Sequence, residues 1–113
     1  MRKLSFLECP DDHLMVYINV TESDREKHHI NRTSANSLLE CTQKCFNDSR
    51  CFSLKYRQQD ELSCLLTDFA SSSCPEITLL PVNEIKYDIH TLITIDCIKC
   101  ELGKPSKYLR QYN

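Results

Sequence analysis

The stretch SLLECTQKCFNDSRCFSLKY, residues 37–56, holds Cys41, Cys45 and Cys51 within eleven positions. Its first half reads as a helix. Ser37-x-x-Glu40 is a capping box, in which the hydroxyl takes the Glu40 amide and the carboxylate reaches back to the Ser37 amide. Leu38, Cys41, Thr42 and Cys45 then follow at i, i+3, i+4 and i+7, a single stripe turned toward a core. Asn47-Asp48-Ser49 ends it. Beyond, CFSLKY alternates with the period of a strand: Phe52, Leu54 and Tyr56 lie on one face, and Cys51, Ser53 and Lys55 on the other. Arg57–Glu61 form a polar turn, and LSCLL returns as the hairpin partner. Cys41 and Cys45 stand one helical turn apart and point the same way, so each must bond to something opposite the helix.

The rest of the chain explains why such cysteines are needed. At 113 residues this is one domain, and a domain of that size keeps much of its surface wet. It has eight cysteines, one glycine (Gly103) and no tryptophan. An even, dense set of cysteines in a small domain points to a disulfide framework and an oxidising compartment. Three N-x-[ST] sequons, at Asn19, Asn31 and Asn47, point the same way, since glycosylation belongs to the secretory pathway. The expected location is extracellular, or a cell-surface ectodomain. The N-terminal apolar run LSFL is shorter than the roughly 7–15 residues of a signal-peptide core, so the chain reads as a mature fragment, an excised domain or an incomplete reading frame. No run approaches the roughly 18 apolar residues of a membrane span. A net charge of −2 argues against a dedicated nucleic-acid binder.

Upstream of the helix, LSFL and HLMVYINV are expected to be two strands, separated by Cys9-Pro10-Asp11-Asp12. Residues 21–36, TESDREKHHINRTSAN, read as a surface loop in which Ile30 is the sole large hydrophobe. Downstream, SSSCP reads as an irregular crossing, and EIKYDIHTLITI, residues 84–95, as a strand with Ile85, Tyr87 and Ile89 on one face. The tail from Glu101 to Asn113 reads as a linker, leaving residues 1–100 as the module. The sum is an α+β architecture, one central helix on an antiparallel sheet of about five strands.

The segment Ser37-Leu38-Leu39-Glu40-Cys41-x-x-x-Cys45, with Cys51-x-Ser53-Leu54-x-Tyr56, Cys64-x-Leu66, and Lys86-Tyr87-Asp88 before Cys97, resembles the PAN/apple family. That family includes the N-terminal modules of hepatocyte growth factor and plasminogen. Leu54 stands where the family usually has an aromatic, and the connection from Cys9 to Cys41 is long. The resemblance implies a helix riveted to its hairpin by Cys45–Cys51 and Cys41–Cys64, and an outer bond from Cys9 to Cys97. Cys74 and Cys100 are left as a fourth pair, and the choice of Cys97 or Cys100 as partner of Cys9 stays open. It also implies a non-enzymatic module that binds a protein or carbohydrate ligand, with no cofactor.

Other chemistries fit less well. Cys97-x-x-Cys100 has the spacing of a redox pair, but Gly103 and Pro105 interrupt the helix that would lower a thiolate pKa. Zinc on Cys97, Cys100, His28 and His29 would need adjacent histidines whose side chains diverge. For hydrolysis there are serines, the histidines His13, His28, His29 and His90 and many acids, but no nucleophile-elbow glycine pattern, Gly103 being the sole glycine. One loop does suggest recognition. Arg25, Lys27, His28, His29 and Arg32 form a basic patch suited to sulfated glycans or acidic proteins, and more so below about pH 6.5, where histidine gains charge. A glycan on Asn31 is expected to sit within that patch and hinder it.

Overall fold

The computed structural model describes residues 9–18, 29–69 and 79–101. The expected strand over LSFL, the residues around Cys74 and the tail beyond Glu101 lie outside them. Six strands form one sheet in the order β2-β4-β3-β6-β1-β5, with every neighbouring pair antiparallel. They are β1 (Leu14–Ile18), β2 (His29–Thr33), β3 (Ser53–Tyr56), β4 (Cys64–Thr67), β5 (Leu80–Pro81) and β6 (Ile93–Cys100), with the helix α1 (Leu38–Asn47) packed on one face.

The helix starts where the cap places it. Ser37 is extended, and its hydroxyl accepts the Glu40 amide at 3.1 Å. The reciprocal half of the box differs, because Glu40 Oε1 accepts the amide of Asn36 at 2.7 Å rather than that of Ser37. Leu38, Cys41, Thr42 and Cys45 face inward as the periodicity requires, joined by Phe46. The Thr42 hydroxyl is satisfied within the helix, donating to the Leu38 carbonyl at 2.8 Å. Opposite them lie Leu54 and Tyr56 of β3, Cys64 and Leu66 of β4, Leu14 and Val16 of β1, and Ile93, Ile95, Ile98 and Cys100 of β6.

Three departures from the sequence reading have physical causes. First, the polar segment at residues 21–36 contains β2, an edge strand paired with β4, and with the short β5, equally unexpected, this gives the described sheet six strands rather than about five. Ile30, read as outside the core, is half-buried against it. Second, residues 85–92 are not a strand. Asp88 turns the chain by accepting the amides of His90 (2.9 Å) and Thr91 (3.1 Å) on one carboxylate oxygen, and Ile89 is left exposed. The His90 amide and the Thr91 hydroxyl hold that carboxyl below its ordinary range.

The third departure concerns the bridges. Cys41 is bonded to Cys64 and Cys45 to Cys51, but Cys9 is bonded to Cys100, not to Cys97. Strand β6 carries a bulge: Ile18 pairs with Ile95, whereas Tyr17 pairs with Cys97. The extra residue reverses the alternation, so Ile93 and Ile95 point inward before it and Ile98 and Cys100 after it. Cys97 faces the other side of the sheet, out of reach of Cys9. It too is disulfide-bonded, so Cys100 is not the partner of Cys74, and Cys97 and Cys100 do not form a redox pair with each other.

Tyr87 closes the core beside the helix N-terminus. Its hydroxyl accepts the Leu38 amide at 2.9 Å, and its ring meets Tyr56 edge-on with centroids 5.8 Å apart. The Tyr56 hydroxyl is buried with no hydrogen-bond partner among the described residues. Burial, then the neighbouring Tyr87 phenol, pushes its pKa up to about 12 from 10.0. The two phenols are therefore expected to respond oppositely to loss of the hydroxyl. Tyr87→Phe strands a helix amide and should destabilise by about 1 kcal/mol. Tyr56→Phe removes an unsatisfied buried hydroxyl and should leave stability unchanged or raise it by up to about 1 kcal/mol. In the unfolded chain Tyr56 ionises near pH 10, while in the native protein it stays protonated to about pH 12. Its protonation therefore leaves stability independent of pH below 10, and stability falls as pH rises from 10 toward about 12, where the unfolded chain ionises and the native protein does not. Urea titrations across that window should show a shallower alkaline decline in Tyr56→Phe than in the parent.

Candidate binding face

The side of the sheet away from the helix is built by cross-strand register. One rung runs Arg32 (β2), Leu65 (β4), Lys55 (β3), Thr94 (β6), each paired with the next. Adjacent strands lie about 4.8 Å apart, so Arg32 and Lys55 flank Leu65 across roughly 10 Å of backbone. The next rung adds Arg57, whose amide donates to the Ser63 carbonyl at 3.1 Å. Arg32, Lys55 and Arg57, with Asp60, Ser63, Leu65 and Leu92, line a cleft of about 310 Å³.

Two clamps hold this cleft in shape. Ser63 Oγ accepts the Ala35 amide at 3.0 Å and donates to the Ala35 carbonyl at 2.9 Å, fixing the exit of β2 against the start of β4. The β3–β4 turn is tied to the segment before β6, with the Gln59 amide donating to the Ile89 carbonyl at 2.9 Å and His90 Nδ1 lying 2.6 Å from Gln59 Oε1. That contact carries Leu92 to the rim. Asp60 faces Arg57 Nε at 3.3 Å through both carboxylate oxygens and offsets part of its charge. Among the described residues lining the cleft, three are basic, Arg32, Lys55 and Arg57, and one is acidic, Asp60.

Of the basic residues read from the sequence, Arg32 lines this cleft, and His29 is exposed on the same strand, opposite Thr67. Arg25, Lys27 and His28 lie outside the described residues, as does Asn19. The companions of Arg32, which are Lys55 and Arg57, were not read as a patch, although the alternation of CFSLKY already put Lys55 on the outer face. A second, shallower cleft of about 550 Å³ opens on the helix side, lined by Asn31, Thr33, Lys44, Asn47, Asp48, Ser49 and Leu66. Asn31 and Arg32 thus project to opposite sides of β2, and a glycan on Asn31 would not sit in the basic cleft.

The arrangement of one helix bridged to a hairpin by Cys41–Cys64 and Cys45–Cys51 is matched by a family model, that of the PAN domain, over residues 9–92. The chain belongs to the PAN domain family. No curated protein and no solved structure matches it. PAN domains are protein- and carbohydrate-interaction modules, generally non-enzymatic and typically extracellular. In this PAN domain, no helix among the described residues is long and apolar enough to cross a membrane. The Glu101 amide donates to the His13 carbonyl at 2.7 Å, next to the paired strands β1 and β6.

Proposed function

We propose that this PAN domain is an extracellular, non-enzymatic binding module and that its outer sheet face recognises an anionic partner through Arg32, Lys55 and Arg57. The convergence of Arg32, Lys55 and Arg57 on one cleft carries the reading. Leu92, exposed at the rim beside the cations, suits a protein surface that presents carboxylates next to apolar side chains. Neutral sugars usually stack on aromatic rings, and none is among the described residues lining the cleft, which makes a lectin the second reading. Disulfides across the scaffold reduce the ordering cost of binding. Residues 101–113 are proposed as a linker or tail, and the sequons at Asn19, Asn31 and Asn47 as glycosylated.

Pull-down from extracellular fluid, run beside a glycan array and a heparin column at about pH 5.5 and about pH 7.4, separates the partner classes. Arg32→Glu combined with Lys55→Glu is expected to weaken capture of a protein partner at least about tenfold, with the loss appearing mainly in the salt-sensitive on-rate. Lys44→Glu, on the helix side, should leave it unchanged. Equal capture by the parent and the double variant would reject the outer face. Retention on heparin alone would replace the protein partner with a sulfated glycan.

A further inference from the structure

The cleft on the helix side contains both acceptor and hydroxyl residue of two sequons: Asn31 with Thr33 on β2, and Asn47 with Ser49 at the end of α1. Asn31 and Thr33 are two apart on a strand and so share a face, while Arg32 between them lines the opposite cleft. Asn47 is the last residue of the helix, and both asparagines are exposed. β2 is also an edge of the described sheet, and an edge strand is a site of unwanted pairing unless it is covered.

We infer that this cleft is the common bed of two N-linked glycans, which together cover the β2 edge and the C-terminal end of the helix and lie away from the cleft lined by Arg32, Lys55 and Arg57. The modification uses an oligosaccharide carried on a lipid pyrophosphate. A bond forms between sugar C1 and asparagine Nδ2, the C1–oxygen bond to pyrophosphate breaks, Nδ2 gives up a proton, and the lipid pyrophosphate leaves. The inference rests on the extracellular reading above, because the donor is met in the secretory pathway. It adds a division of labour between the faces. The bulky glycans take the side lined by Asn31, Asn47 and Lys44, while Arg32, Lys55 and Arg57 line the cleft on the other.

Lys44 reports on the bed. The protein should be expressed through the secretory pathway and mapped for occupancy at Asn31 and Asn47. Half should then be trimmed, once folded, with an endoglycosidase that leaves a single sugar on each site. Acylation by an amine-reactive ester is expected to be at least about threefold slower at Lys44 in the untrimmed form, while Lys55 on the opposite face reacts at the same rate in both. Trimming after folding avoids variants that fail to fold, and Thr33→Ala, which removes one sequon and keeps Asn31, should give an intermediate rate at Lys44. Full occupancy with equal Lys44 rates overturns the shared bed. Secreted, disulfide-bonded protein lacking sugar at either site overturns it as well and leaves the extracellular reading standing. Failure to be secreted at all removes both.

Discussion

Replacing Cys9 and Cys100 together by alanine is expected to cost more than losing either of the other described bridges. In the chain-entropy account a cross-link acts by restricting the unfolded chain, and its worth grows with the logarithm of the loop it closes. Cys9–Cys100 spans 91 positions, Cys41–Cys64 spans 23 and Cys45–Cys51 spans 6. These loops correspond to about 4.6, about 3.4 and about 2.2 kcal/mol respectively. Small domains have about 5–15 kcal/mol in total, so the first loss removes much of the margin and full reduction should unfold the protein. Paired alanine substitutions avoid leaving a lone thiol, and all six positions are nearly or fully buried, so the truncation penalty is similar in each pair. Urea unfolding of the three double variants should rank them in that order. If the Cys45–Cys51 variant proved the least stable, native-state strain or denatured-state structure would outweigh loop entropy here. Peptide mapping of oxidised protein checks the premise, because recovery of Cys9 linked to Cys97 would contradict the bulge in β6.

That bulge shows where the sequence stops being informative. The helix and β3 are legible because their signals are local: a serine cap, a stripe at helical spacing, and a strict alternation through Leu54 and Tyr56. β2 has no such signal. With His29, Asn31 and Arg32 exposed and Ile30 alone apolar, it becomes a strand because β4 offers it a partner more than thirty positions away. A polar edge strand is specified by its neighbour, so composition assigns it to a loop. In residues 84–95 the alternation of Ile85 and Tyr87 was real burial, but Asp88 competed for the backbone and won the turn. Whether Cys97 or Cys100 faces the core depends on one inserted residue, which apolar patterning over Ile93, Ile95 and Ile98 hints at only once the strand is known to be a strand. The binding face suffers the same limit. Arg32 was visible as one cation in a basic loop, while its companions Lys55 and Arg57 join it through the registers of three strands.

Phe46→Ala is expected to destabilise the module by about 3–5 kcal/mol, as much as any single bridge. Phe46 is fully buried, in the last turn of α1 beside Cys45, and is among the largest completely enclosed side chains. Truncation removes its transfer energy and leaves a cavity that its surroundings cannot close. The helix is bonded to β4 through Cys41 and to its own C-terminal neighbour through Cys45, which restrain α1 from collapsing onto the gap. This restraint makes the substitution decisive between two views of the fold. If the bridges act mainly on the unfolded chain, they do nothing to replace lost packing, and the penalty should appear in full as a lower urea midpoint at unchanged m-value. The helix should meanwhile remain formed below the transition, giving an unaltered far-ultraviolet dichroism spectrum. A penalty under about 1.5 kcal/mol would mean that the cross-links hold the helix to the sheet with little help from the core. On that outcome Leu54, where the family usually carries an aromatic, would be a sign of a loosely filled interior.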